Sequence, residues 1–166
     1  IVSSDDPQII QTAHQWDCEA PFVRPAELAQ DSTPGIDPVL HALGQLPGYD
    51  YVVLLQPTSP LRSIGDIDAC IDICTAGAPA CVSVTLPGKS PYWMYTLSGA
   101  GEMQPLLPGD HTAVRRQDLP AAYALNGAVY VAEVFWLQQQ RGFIAKGTKA
   151  YVMPAERSID IDAPLD

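Results

Sequence analysis

Positive charge is scarce in this sequence. Nine Lys and Arg stand against nineteen Asp and Glu over 166 residues, a formal net charge of −10. A phosphate backbone repels such a chain, so no nucleic-acid partner is expected. No stretch of about 18 apolar residues occurs, so no membrane-spanning helix is expected. A basic-then-apolar leader is also missing from the start. The four cysteines, Cys18, Cys70, Cys74 and Cys81, form no C-x-x-C pair, and no histidine cluster accompanies them. They read as small buried hydrophobes in a reducing cytoplasm. His14, His41 and His111 are scattered, and no Ser-His-Asp arrangement is readable. The phosphate loop, the G-x-G-x-x-G turn and the G-x-S-x-G elbow are missing too. A small anionic ligand stays open, because a bound metal can invert a local field.

Apolar residues make up 47% and charged residues 17%, which suits one globular domain over residues 1–166. Short apolar runs alternate with helical patterns. Ser4-Asp5-Asp6-Pro7 reads as a helix start, and Ile9, Ile10, Ala13 and Trp16 follow at helical spacing. Ile36, Val39, Leu40, Leu43 and Leu46 mark a second helix. Tyr51 to Leu55 is continuous and apolar, as in a parallel strand buried on both faces. Ser63 caps a helix with Ile64, Ile67, Ile71 and Cys74 on its apolar side. Strands are expected at Cys81–Val84, Ala128–Val131 and Tyr151–Met153, with a helix over Val134–Gln140. This rhythm predicts βαβ units with helices on both faces of a mainly parallel sheet. Ile1-Val2 resembles the end of a strand, from which an upstream segment is expected. Residues 87–120, rich in Pro, Gly and aromatics, predict a hairpin-and-loop excursion, and its length asks for a function.

Three groups could carry chemistry. In extended backbone, Asp160-Ile161-Asp162 points both carboxylates to one face. Two such carboxylates suit Mg²⁺ with substrate phosphates, or else form a solvated acidic strand end. Gln56-Pro57-Thr58-Ser59-Pro60 follows a predicted strand, where open α/β sheets bind ligands, though a plain rigid turn fits equally. Arg115-Arg116-Gln117 and Asn126-Gly127 form the third group. Arginine suits a carboxylate or phosphate through its fork; a surface pair and an ordinary turn are the other readings. Arg24 is similarly open.

Together these segments resemble the acylneuraminate cytidylyltransferases. The resemblance rests on Ser3-Ser4-Asp5-Asp6, Arg24-Pro25-Ala26-Glu27-Leu28-Ala29-Gln30-Asp31 and Leu54-Leu55-Gln56-Pro57-Thr58-Ser59-Pro60-Leu61-Arg62. It continues through Arg116-Gln117-Asp118-Leu119-Pro120, Asn126-Gly127-Ala128-Val129-Tyr130-Val131 and Arg157-Ser158-Ile159-Asp160-Ile161-Asp162. Each segment is weak alone, but six in order are specific.

The resemblance implies a Rossmann-like nucleotide-diphosphosugar transferase fold, an α/β fold with a mixed, mainly parallel sheet and a protruding arm. It implies transfer of CMP from CTP to a nonulosonic acid, an acidic nine-carbon sugar, with release of pyrophosphate. It assigns Asp160 and Asp162 to catalysis as Mg²⁺ ligands. Arg24, Gln56, Arg116, Asn126, Tyr130 and Phe143 become substrate-binding residues, with Arg116 delivered from the partner subunit. Residues 87–120 become a dimerisation arm, and the protein a cytoplasmic homodimer. Two departures stand out. Gly35 occupies a position where the family usually has Ser. The family pattern also opens with a strand and a glycine-rich basic loop that grips the CTP phosphates, and no segment here matches it. The expectation is an incomplete synthetase. The alternative is a truncated relative that keeps the fold and dimer surface and binds sugar acid or nucleotide without turnover.

Overall fold

The computed structural model describes residues 1–107 and 115–163. Helix α1 (Pro7–Gln15) is capped by Asp6, whose carboxylate accepts the Gln8 and Ile9 N–H groups, with Pro7 in the first turn. Helix α2 (Ile36–Gln45) precedes strand β1 (Tyr51–Leu54). Helix α3 (Ile64–Thr75) opens with a capping box between Ser63 and Asp66. Then come β2 (Ala80–Thr85), the short strands β3 (Tyr95–Leu97) and β4 (Met103–Pro105), and the long strand β5 (Ala124–Glu133). Helix α4 (Val134–Gln140) and strand β6 (Lys149–Val152) complete the order.

The main sheet has the order β1-β5-β2-β6. Strands β1, β2 and β6 run in one direction, and β5 runs against them between β1 and β2. The sheet is therefore mixed with most strands parallel in direction, and α3 is the crossover from β1 to β2.

Alternation along the strands divides the core. Ala80, Val82 and Val84 of β2, with Tyr130 and Ala132 of β5, face Ile36, Val39 and Leu43 of α2 and Leu137 of α4. Cys81, Val129 and Val131 face the opposite way, against Ile67, Cys70, Ile71 and Cys74 of α3. Helices thus cover both faces, as the sequence rhythm predicts. All four cysteines are free thiols, and three of them line the α3 face. Burial pushes the Cys74 thiol up to about 11, which suits an inert packing role.

Two expectations need correction. Strand β1 is not buried on both faces. Val52 and Leu54 pack inward, but Tyr51 and Val53 are 36% and 37% exposed. The reason is position, since β1 is an edge strand while α3 lies over β5, β2 and β6. A run of apolar residues reports hydrophobicity, not the number of covered faces. The Ile1–Ser4 segment is irregular, not a strand end. It is held by single bonds from Val2 N–H to Glu19 O (2.7 Å) and from Arg24 N–H to Ser4 O (2.9 Å).

Within residues 87–120, β3 and β4 form their own antiparallel hairpin. It is apolar yet exposed, with Tyr95, Leu97 and Met103 among its open side chains. Residues 108–114 of the expected arm lie outside the described residues.

Candidate active site

Strand β5 carries a pronounced bulge. Val82 pairs with Tyr130 and Val84 with Leu125, so Ser83 alone faces residues 126–129. The buried Ser83 hydroxyl fills the gap. It donates to Asn126 Oδ1 at 2.6 Å and accepts the Val129 N–H at 2.8 Å. Asn126 Oδ1 also accepts the Ala128 N–H, and its Nδ2 donates to Ser158 Oγ at 2.9 Å. Asn126 is 4% exposed, and both ends of its carboxamide are bonded to protein. These bonds tie it into the bulge beside the site.

The bulge places Gly127 in the left-handed region, at φ +70°. Three oxygens converge there. A Cβ on Gly127 would lie 2.5 Å from Gln56 Oε1, 3.3 Å from Ser59 Oγ and 3.4 Å from Asp160 Oδ2. The turn after β1 supplies the first two oxygens. Its shape is fixed by Arg62, whose Nη1 reaches the carbonyls of Gln56 (2.6 Å), Ser59 (2.8 Å) and Ala128 (3.3 Å). Burial lowers the Arg62 pKa. Ser59 is fully buried, and its hydroxyl donates to Asn126 O at 3.2 Å with Asp160 Oδ1 at 3.4 Å.

The third oxygen comes from the C-terminal segment. The Ile161 N–H donates to Thr58 O at 2.7 Å, which ties Asp160-Ile161-Asp162 to the same turn. Asp160 is half-buried and Asp162 exposed. Upstream, Arg157 forks onto Asp66 with Nε and Nη2 both at 2.9 Å. Asp66 is fully buried and also accepts from Tyr151 and Ser63. These donors, Arg157 foremost, hold its carboxyl well below the usual carboxylate range. Tyr130 lies next to the bulge. Burial, and secondarily the Asp160 charge, push its phenol up. Its ring sits 5.4 Å from that of Phe143, centroid to centroid.

The structure therefore gathers Gln56, Tyr130, Phe143 and Asp160, with Asn126 behind them and Asp162 two residues on. Arg24 stands apart from that set, with both guanidinium bonds going to the Ser3 hydroxyl and carbonyl. Arg116 falls in the short 3₁₀ turn Arg116–Asp118, and its side chain lies outside the described residues. Ser59, Arg62, Asp66, Ser83 and Arg157 gain roles that the sequence did not announce. Two of them are among only nine basic residues. The Ser63-x-x-Asp66 spacing also signals a capping box.

No family model matches the chain. Individual proteins do match. The CMP-N,N'-diacetyllegionaminic acid synthase of Legionella pneumophila is 30% identical over 172 residues, covering 100% of this chain and 73% of that protein. An N-acylneuraminate cytidylyltransferase of Escherichia coli O18:K1:H7 is 29% identical over 168 residues, covering 100% of this chain and 39% of that one. Among solved structures, a CMP:2-keto-3-deoxy-manno-octonic acid synthetase complexed with CTP superposes with a TM-score of 0.60 at 13% identity. That match covers 93% of this chain and 71% of the other, and it bears on the fold alone. With full coverage by a legionaminate synthase and the six segments in order, the chain belongs to the acylneuraminate cytidylyltransferase family.

Proposed function

We propose that the protein transfers CMP from CTP to a nonulosonic acid and releases pyrophosphate. The observation that carries this reading is the meeting of Gln56, Ser59 and Asp160 oxygens at Gly127, at the carboxyl end of β1. In the reaction the anomeric hydroxyl of the sugar attacks the α-phosphorus. A new O–P bond forms as the bond to the bridging oxygen breaks, and pyrophosphate leaves with that electron pair. The hydroxyl proton passes to solvent.

The donor set at the site is all oxygen, from carboxylate, amide and hydroxyl, gathered against a glycine where a Cβ would not fit. Such a set fits Mg²⁺. Asp160 and Asp162 would hold the ion, which when bound neutralises phosphate charge. Arg24 contacts the nucleotide, while Gln56, Tyr130 and Phe143 line the sugar pocket. Asn126 keeps the bulge in shape, and Arg116 reaches the sugar carboxylate from a partner subunit. Positioning and charge neutralisation do most of the work in such a transfer.

The exposed hairpin supports a homodimer. Trp93, Met94, Tyr95, Leu97 and Met103 form an apolar surface suited to a second copy, so residues 87–120 act as the dimerisation arm of a single domain. Sedimentation is expected to show a dimer, and a monomer at micromolar concentration would refute the arm. The free thiols fit a reducing cytoplasm.

The test of the reaction is pyrophosphate release from CTP, Mg²⁺ and N-acetylneuraminate or a related nonulosonic acid by the full chain. Sugar-dependent release is the expected result. Binding of CTP or sugar without turnover would favour the truncated, non-catalytic alternative.

A further inference from the structure

The acidic segment is held in an unusual way. Residues 158–163 belong to no helix or strand. Ile159 and Ile161 are 41% and 48% exposed, so apolar burial contributes little to fixing them. Polar anchors do the fixing. Ser158 Oγ receives Asn126 Nδ2 and donates to Pro154 O at 2.8 Å, and the Ile161 N–H bonds Thr58 O. Immediately upstream, Arg157 on the 3₁₀ turn Ala155–Arg157 is clamped by Asp66.

Asp66 receives five hydrogen bonds on two carboxylate oxygens, two from Ser63, one from Tyr151 and two from Arg157. Those from Ser63 suffice for the capping box, so the contacts to β6 and to the Arg157 fork go beyond what the helix end needs. A bidentate fork fixes orientation as well as distance. Its partner sits on the first turn of α3, and the turn carrying Gln56 and Ser59 leads directly into that helix. One carboxylate thus references the Asp160 segment to the turn it must face.

We propose that Asp66 is a positioning residue which, through Arg157, holds Asp160 in register with Gln56, Ser59 and Gly127. This inference rests on the reading of Asp160 as the carboxylate of the phosphate site. A misplacement of about 1 Å at such a group can cost on the order of 10²-fold, so a clamp three residues away is close enough to matter.

The experiment compares Asp66→Asn, Arg157→Lys and the exposed-face control Asp72→Asn in the full chain. Mn²⁺ affinity in the presence of CTP is read from the free-Mn²⁺ resonance signal, and amide exchange is read at Ile161. Asp66→Asn keeps the size and the Ser63 contacts but loses the charge. It is expected to weaken Mn²⁺ about tenfold or more, as removal of outer partners of metal ligands does. Ile161 is expected to exchange faster. Arg157→Lys should move both readouts the same way by less, and Asp72→Asn neither. Wild-type Mn²⁺ affinity and Ile161 exchange in Asp66→Asn, with only the melting temperature lowered, would overturn the clamp. Should Asp66→Asn fail to fold, Arg157→Lys decides by the same two readouts. If Asp160→Asn leaves Mn²⁺ affinity unchanged, the phosphate-site reading fails, and Ile161 exchange still decides the clamp.

Discussion

Asp160→Asn should leave the protein folded and lower the turnover number by about 10²–10³-fold, the range seen when a preorganised charge-stabilising group is removed. The substitution is nearly isosteric. Asp160 is half-buried and belongs to neither apolar cluster, so its loss opens no cavity. An Asn Oδ1 can still receive the Ser59 hydroxyl now 3.4 Å away. What disappears is one negative charge beside Gly127. Asp162→Ala should act in the same direction. Steady-state kinetics with Mg²⁺ and a thermal melt check the pair together; near-normal turnover in either variant removes that residue from the site. A second signature needs no turnover. Because the Asp160 charge helps to push the Tyr130 phenol up, Asp160→Asn should lower the phenolate titration of Tyr130. The larger contribution, burial, stays.

The sequence made the architecture readable where one local signal had one meaning. A strand is expected at Cys81–Val84 and β2 is one, buried because α3 covers one side and α2 with α4 the other. Strand β1 has the same apolar texture, yet it is an edge, and edge or centre is decided by topology, not by composition. The capping of α1 and α3 was visible because a cap acts over three or four residues. The site was partly legible for a related reason. Asp160 stood out by its spacing from Asp162, although residues 158–163 form no strand, and Gln56 follows a strand end. Asn126 looked like turn chemistry, but its place in the bulge depends on Ser83, 43 residues away. Asp66 drew no notice in the sequence beside the Ser63 cap. Its second partner, Arg157, lies 91 residues along the chain, and no spacing rule connects the two.

Gly127→Ala should harm function more than stability, and the structure says why. The backbone at φ +70° costs a non-glycine residue about 1–2 kcal/mol. The new Cβ would also sit 2.5 Å from Gln56 Oε1, a distance at which one of them must move. Gln56 Oε1 ends a flexible side chain, so it can swing aside without unfolding the protein. Ser59 Oγ, at 3.3 Å and fully buried, can yield only slightly, and Asp160 Oδ2 at 3.4 Å need not move. The predicted result is a folded variant, weakened by about 1–2 kcal/mol in urea unfolding, in which Gln56 is swung away from Ser59 and Asp160. Turnover per KM for the sugar acid should fall about 10²-fold, as expected for a displaced positioning group. The cause can be isolated with a double-mutant cycle. If displacement of Gln56 is the main damage, Gly127→Ala should cost much less in a Gln56→Ala background than alone, since the clash is already gone. Fully additive losses would mean that the alanine acts through the backbone of the bulge. The carbonyl of Asn126 and the hydroxyl of Ser59 would then be the next bond to test.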